Sequence, residues 1–182
     1  MQHCNMESFF SFTEVNALKV AIFFGSKSDT ETMKKAAPVL KQFGVDYEAY
    51  ILSAHRSGDL LKQTVEKAEK DGAEVFIAGA GLAAALPGVI ASITALPVIG
   101  VPLECVSSVS NGLAGMDALL SIVQMPPKIP VATVGIGNAA NAAYLAVEIL
   151  SIKYPELRNK HIEFRKKLAA DSLENGGRGV EL

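Results

Sequence analysis

The sequence predicts a single α/β domain in which a parallel sheet of about five strands is covered by helices on both faces. Short apolar runs rich in strand-forming residues alternate with helix-like segments, and this alternation is typical of βαβ units. The length of 182 residues suits one hydrophobic core. With 49% hydrophobic and 20% charged residues and no internal repeat, the composition is globular and excludes disorder of the whole chain.

The first strand and helix are predicted from a run of clear local signals. Residues 18–24 form an apolar run that ends at a glycine. Ser28 and Glu31 have the spacing of a capping box, which marks a helix start. Apolar residues then recur at helical spacing up to Phe43, and Gly44 is a typical stop. Because Pro38 lies inside this pattern, a kink or local break is expected.

The rest of the chain continues the alternation of strands and helices. Strands are predicted at residues 46–52, 74–78, 96–101 and 131–134. Helices are predicted around residues 61–68, in a short alanine-rich stretch before the fourth strand, at residues 138–151 and at residues 155–170. With right-handed crossovers, this order predicts a three-layer α/β/α sandwich: a doubly wound, flavodoxin-like sheet with a C-terminal helix extension.

Both ends of the chain are predicted to be tails, residues 1–17 and 171–182, which leaves residues 18–170 as the domain. The first tail lacks a basic start followed by an apolar core, so no secretion signal is expected. Residues 75–103 are uncharged and long enough for a membrane helix, but glycines and prolines interrupt them. Together with only two cysteines, these observations indicate a cytoplasmic protein with no disulfide framework and no membrane partner.

The charge balance argues against nucleic acid as a partner. Lys and Arg number 17 against 19 Asp and Glu, which gives a net charge of −2 and a pI of about 5.9. Nucleic-acid-binding proteins usually carry a broad basic field instead. No His, Cys and carboxylate residues have the spacing of metal ligands, so no metal site is predicted.

Three loops follow predicted strands and should meet at one edge of the sheet, where ligands bind in this architecture. The first loop (residues 25–29) precedes a helix, whose N-terminal N–H groups attract anions. Ser26 and Ser28 can add hydroxyl donors. The alternative is that Ser28 only caps the helix and Asp29 only favours its first turn. The loop matches neither the Walker A pattern nor G-x-G-x-x-G.

The second loop (residues 53–56) places a titratable imidazole, His55, beside a permanent cation, Arg56. Arginine suits phosphate recognition, and histidine can move a proton in either direction near neutral pH. The alternative is a loop histidine that only hydrogen-bonds backbone, but the position at the expected ligand edge favours function. His3 lies in the predicted tail, and His161 lies among apolar residues of the last helix, so packing or solvation is expected there.

The third loop (residues 79–85) has no ionisable side chain. Its small residues permit close approach of a ligand or of another backbone. The helix that follows is almost uncharged and therefore needs burial, for example against another subunit. Cys105 belongs to no motif and is interpreted as a small hydrophobic residue.

Five short motifs occur in a fixed order along the chain. They are Gly-Ser-Lys-Ser-Asp at 25–29, Ser-Ala-His-Arg at 53–56, Ala-Leu-Pro-Gly at 85–88, Pro-Val-Ile-Gly-Val-Pro at 97–102 and Ser-Ile-Val-Gln-Met-Pro at 121–126. Together they resemble the PurE family, the N5-carboxyaminoimidazole ribonucleotide (N5-CAIR) mutases of de novo purine biosynthesis, over about residues 20–150.

This resemblance implies that a carboxylate moves from N5 to C4 of an aminoimidazole ribonucleotide, with no metal and no organic cofactor. It implies that His55 is the general acid and base, that Ser28 and Arg56 bind the phosphate, and that Asp29 binds the ribose. The third loop would cover the carboxylate or CO2. A homo-octamer with sites at subunit interfaces is also implied. The full set of residues expected to bind substrate is Ser26, Ser28, Asp29, Ser53, Ala54, Arg56, Gly79, Ala80, Gly81, Ala85 and Leu86.

The third loop departs from the family pattern, which in many members reads Gly-Gly-Ala-Ala-His-Leu-Pro-Gly. Leu82 replaces a glycine and Ala85 replaces a histidine. We expect His55 to suffice without that second histidine, and we expect Leu82 to narrow the pocket.

Three alternative functions remain open. The CO2-using aminoimidazole ribonucleotide carboxylases of the same family typically have lysine after the histidine, so Arg56 favours the mutase. A carboxylase of another nucleotide, as in the LarB family, is disfavoured by Gln124-Met125-Pro126 and by the compact single domain. A non-catalytic flavodoxin-like module of the receiver type would need acidic residues where Phe24-Gly25 and Ala78-Gly79 stand.

Overall fold

The computed structural model describes residues 19–105 and 112–175. The predicted N-terminal tail, with His3 and Cys4, and residues 176–182 of the predicted C-terminal tail lie outside the described residues. The strands are β1 (Val20–Phe24), β2 (Tyr47–Ile51), β3 (Val75–Gly81), β4 (Val98–Leu103) and β5 (Ala132–Thr133). They form one parallel sheet in the order β2-β1-β3-β4-β5. The predicted α/β fold is confirmed.

Seven α-helices connect and cover these strands within the described part of the chain. They are α1 (Thr30–Met33), α2 (Ala36–Phe43), α3 (Gly58–Lys70), α4 (Leu86–Ile93), α5 (Met116–Val123), α6 (Ala139–Lys153) and α7 (Pro155–Asn175). Among the described residues, no helix combines the length and the apolar character that crossing a bilayer requires.

The core has two halves because alternate residues of each strand point to opposite faces of the sheet. Val20, Ile22 and Phe24 of β1 face α2, α6 and α7. Ala21 and Phe23 of the same strand face α3, α4 and α5. The result is the predicted three-layer sandwich.

The first helix is broken, and the break precedes the proline. A 3₁₀ turn (Lys27–Asp29) leads into α1, and a turn at residues 34–35 separates α1 from α2. Pro38 falls in the first turn of α2, where its missing N–H group has no intrahelical partner to lose. Gly44 ends α2 with φ of 71°, so the predicted stop is confirmed.

Two helices differ from their predictions. Helix α5 was not predicted, because its apolar residues are not confined to one side: Leu120 and Val123 are exposed while Ala118 and Ile122 are buried. Helix α7 continues to Asn175, so the interpretation of residues from 171 onward as a frayed tail is wrong for residues 171–175.

An ionic cluster joins three elements at the edge of the sheet opposite the strand-end loops. The Glu74 carboxylate, at the start of β3, accepts hydrogen bonds from Lys19 Nζ (3.3 Å), from Lys153 Nζ (2.7 Å) and from the Tyr154 hydroxyl. Lys19 also donates to the Tyr154 hydroxyl at 2.9 Å. Partial burial acts to raise the pKa of Glu74, but these donors outweigh it and the pKa is lowered.

We expect Glu74→Gln to lower the free energy of unfolding at pH 7 by about 1–2 kcal/mol, because it removes the charge that binds two ammonium groups. A lowered folded-state pKa stabilises the fold above the ordinary glutamate range and loses this effect as pH falls through the folded-state value. The difference between Glu74→Gln and the wild type should therefore shrink below roughly pH 4, as measured by urea unfolding at several pH values.

The exposed helical pair of Lys67 and Asp71 provides a matched control. Asp71→Asn should change the free energy of unfolding by less than Glu74→Gln does, because both partners of this pair are exposed. A Glu74→Gln effect that stays constant down to acid pH would contradict the assignment.

Candidate functional site

The carboxyl ends of β1, β2 and β3 lie at one edge of the sheet, and the loops that follow them enclose a cavity of about 360 Å³. The lining residues are Gly25, Ser26, Ser28, Asp29, Ser53, Ala54, His55, Arg56, Ala80, Gly81, Leu82, Ala83, Ala84, Ala85, Leu86 and Cys105. The structure therefore brings together every predicted site residue except Gly79.

The first loop is shaped by hydrogen bonds among its own side chains. Ser26, in extended conformation, caps the 3₁₀ turn, and its Oγ accepts from the Ser28 N–H at 3.4 Å and from Ser28 Oγ at 2.9 Å. The cap is thus Ser26, not Ser28 as the capping-box spacing predicted. Ser28 Oγ is exposed and remains reachable by a ligand.

Asp29 is half-buried at the inner end of this turn. Burial raises the pKa of its carboxyl, while hydrogen bonds with the Ser26 backbone and with the Ser28 side chain act in the opposite direction. A carboxylate held in this way can accept hydrogen bonds from hydroxyl groups of a ligand in the cavity.

The second loop is a tight turn that presents the side chains of His55 and Arg56 to solvent. The N–H groups of Arg56 and Ser57 donate to the Ser53 carbonyl at 3.2 Å and 3.0 Å. Arg56 Nη2 donates to the Gly25 carbonyl at 3.0 Å, which ties the second loop to the first. Both His55 and Arg56 are exposed, so a ligand can reach the imidazole and the rest of the guanidinium.

Residues 82–85 of the third loop form a short, apolar part of the cavity wall, since residues 79–81 belong to β3. The Ala84 N–H donates to the Leu82 carbonyl at 2.9 Å, and the Ala85 N–H donates to the Ala83 carbonyl at 2.7 Å. Leu82 has φ of 53°, in the left-handed region. That conformation costs a residue with a Cβ roughly 1–2 kcal/mol relative to glycine.

Gly79 does not line this cavity, and its assignment to the site stays a prediction. Strand β3 continues through Gly81, and Gly79 is buried within it. A Cβ on Gly79 would lie 2.4 Å from Met33 Sδ and 3.1 Å from Leu103 Cδ1. Glycine is therefore needed at this position for the packing of β3.

Cys105 lines the cavity although sequence reasoning treated it only as a small hydrophobic residue. It follows β4, whose carboxyl end lies at the same edge as those of β1 and β3. A Cβ on Gly81 would approach Cys105 Cβ to 3.4 Å and the Leu103 carbonyl to 3.1 Å. The position after a fourth parallel strand was the signal that could have found it.

A second and larger cavity, of about 810 Å³, lies between α6 and α7, and none of the three predicted loops contributes to its lining. His161 is in its lining, where its ring packs on Phe43 and Phe164 and its Nε2 lies 3.6 Å from Glu148. Of the two roles expected for His161, packing and solvation, the structure shows packing. Within residues 19–105 and 112–175, no three His, Cys, Asp or Glu side chains are arranged to hold a metal ion.

Comparison with known proteins identifies the family. The family model described as AIR carboxylase matches residues 19–171, a range that includes all three loops. The chain belongs to the AIR carboxylase family. The resemblance to PurE that the five motifs predicted is thereby confirmed.

Two similar members of the AIR carboxylase family are named N5-carboxyaminoimidazole ribonucleotide mutase. The protein from Saccharolobus solfataricus is 56% identical over 155 residues, which cover 85% of this chain and 95% of the relative. The protein from Thermotoga maritima is 51% identical over 160 residues, which cover 88% and 91%. The crystal structure of Treponema denticola PurE superposes with a TM-score of 0.73 at 30% identity, covering 86% of this chain and 94% of that one.

Two motifs of the AIR carboxylase family lie outside the cavity lining and serve the fold around it. Residues 98–102 of the first of these motifs form most of β4. Residues 121–126 end α5 and bring Met125 to α4, where a Cβ on Gly88 would lie 3.1 Å from Met125 Sδ. The motif at 85–88 begins α4, so Met125 supports the helix that follows the third loop.

Proposed function

We propose that this protein is an N5-CAIR mutase, which converts N5-CAIR to 4-carboxyaminoimidazole ribonucleotide in purine biosynthesis. The observation that carries the proposal is the meeting of the first and second loops in one cavity, with Arg56 bonded to Gly25. The names of the relatives from Saccharolobus solfataricus and Thermotoga maritima support the same reaction.

The polar end of the cavity binds the ribonucleotide in this proposal. Ser28 Oγ and the Arg56 guanidinium hold the phosphate, since both are exposed beside the 3₁₀ turn. Asp29 accepts hydrogen bonds from the ribose hydroxyls. The apolar third loop covers the reacting carboxylate, where exclusion of water favours loss of CO2 and its recapture.

His55 moves the proton between the two reacting atoms. When the bond between N5 and the carboxylate breaks, its electron pair stays on N5, which takes a proton from the imidazolium. C4 then attacks the trapped CO2, and the C4 proton passes to the imidazole. His55 ends in its starting state, and no proton is gained or lost overall. Of the side chains in the cavity lining, an imidazole is the one whose ordinary pKa lies nearest neutrality.

Supplying each substrate separately tests the reaction. The purified protein should form the 4-carboxylated product from N5-CAIR at a rate that does not depend on added bicarbonate. Aminoimidazole ribonucleotide with bicarbonate should react much more slowly. If product formed only from the second pair, the protein would be a CO2-using carboxylase and the proposal would be wrong.

We also propose that the enzyme is cytoplasmic and assembles as a homo-octamer around the predicted domain of residues 18–170. Helix α5 supports assembly, because Met116, Leu120 and Val123 are each about half exposed, at 47%, 48% and 51%, and recur at helical spacing. Light scattering on the purified chain measures the mass directly, and a monomer would contradict this part of the proposal.

A further inference from the structure

Leu82 occupies a backbone conformation that a leucine rarely adopts. Among the residues the structure describes, three non-glycine residues have positive φ, namely Leu82, Ala114 and Lys128. Leu82 lies in the cavity wall. Strained backbone that persists at a cavity is a reason to ask what the side chain does there.

The Leu82 side chain reaches from the third loop to the turn before α5. A Cβ on Gly112 would lie 3.2 Å from Leu82 Cδ2, so the leucine methyl rests directly against this backbone. Gly112 and Ala114 have φ of 55° and 51°, so the backbone of this turn also adopts the left-handed conformation. The Leu82 side chain thus joins the third loop to the turn at residues 112–115.

The chemistry of the trapped intermediate makes such a contact useful. In the reaction proposed above, on which this inference rests, free CO2 exists between loss from N5 and attack by C4. CO2 is neutral and has no hydrogen to donate, so ion pairing cannot hold it. The wall beside it consists of small apolar residues such as Ala83 and Ala84. Retention then depends on whether the wall has gaps.

We propose that Leu82 is a specificity-determining residue that closes the cavity wall against the turn at residues 112–115 and so retains CO2 between the two half-reactions. A glycine at this position would relieve the backbone but lose the contact with Gly112. The leucine therefore favours transfer of the same carbon over exchange with CO2 from solution.

Isotope retention tests this role. The full-length protein is given N5-CAIR labelled with ¹³C in its carboxylate, in buffer with unlabelled bicarbonate and carbonic anhydrase. Mass spectrometry then measures the ¹³C fraction of the 4-carboxylated product at early times, corrected by an enzyme-free blank. The wild type should retain most of the label. Leu82→Gly and Leu82→Ala should both lose label roughly tenfold more often per turnover.

Two further measurements keep the test decisive. Leu82→Met conserves volume and should restore retention, which a purely structural role would not require. Leu82→Gly should unfold at a temperature about 2–4 °C higher than Leu82→Ala, because only glycine relieves the positive φ. Equal loss of label from these two variants, despite their different stabilities, would show that the loss is not caused by unfolding.

The outcomes separate this inference from the proposed function. If the wild type converts N5-CAIR with its label retained and both small variants retain it equally, the role of Leu82 is wrong and the mutase assignment stands. If the wild type makes no 4-carboxylated product from N5-CAIR, the proposed function itself fails.

Discussion

Replacing His55 with asparagine is expected to reduce turnover of N5-CAIR by about 10²–10⁴-fold while the ribonucleotide still binds. Asparagine keeps a polar side chain of similar reach but cannot carry a proton between N5 and C4. Because His55 is exposed on its turn and belongs to neither half of the core, the substitution should leave the fold intact. Steady-state rates together with calorimetric binding of the aminoimidazole ribonucleotide measure both effects.

His161 offers a matched control for this substitution. It packs on aromatic residues near α6 and α7, and it does not line the cavity that contains His55. His161→Asn should keep the mutase rate per folded molecule, with any loss appearing in thermal stability. Normal conversion by the His55→Asn protein would remove His55 from the proton path.

Replacing Arg56 with alanine is expected to weaken ribonucleotide binding about 10- to 100-fold, the range for losing a charge-assisted hydrogen bond. The effect has two parts. The phosphate loses its guanidinium partner, and the first loop loses the bond from Arg56 Nη2 to the Gly25 carbonyl. The KM should rise more than kcat falls, because the phosphate is bound equally in the ground state and the transition state.

Arg56→Lys separates charge from geometry, since lysine keeps the positive charge but lacks the planar fork. It should bind ribonucleotide with an affinity between those of the wild type and Arg56→Ala. Arg165→Ala removes a cation that pairs with Glu148 outside the cavity that contains Arg56, and it should leave the KM unchanged. An unaltered affinity in Arg56→Ala would exclude this guanidinium from the phosphate site.

Strand positions could be predicted from the sequence where an apolar run ends abruptly. The positions of β1 and β4 followed from such runs. The extent of β3 was not predictable, because Gly79 to Gly81 pair with residues 101–103 through backbone groups that side-chain pattern does not reveal.

The polar residues of the candidate site were predictable from the sequence, whereas the prediction of its apolar lining was incomplete. His55 and Arg56 were identified because a cation and an imidazole after a strand are informative residue types. Cys105 lines the same cavity but belongs to no sequence motif. For Leu82, the sequence revealed a departure from a family glycine, whereas only the backbone reveals that the leucine adopts the left-handed conformation that glycine favours.

A crystal structure with 4-carboxyaminoimidazole ribonucleotide bound would test the central claim most directly. The account predicts the phosphate within hydrogen-bond distance of Ser28 and Arg56, and the imidazole of His55 within about 3 Å of C4 or of N5, directly or through one water. A nucleotide bound elsewhere, or a His55 ring that no rotamer brings to the reacting atoms, would contradict it.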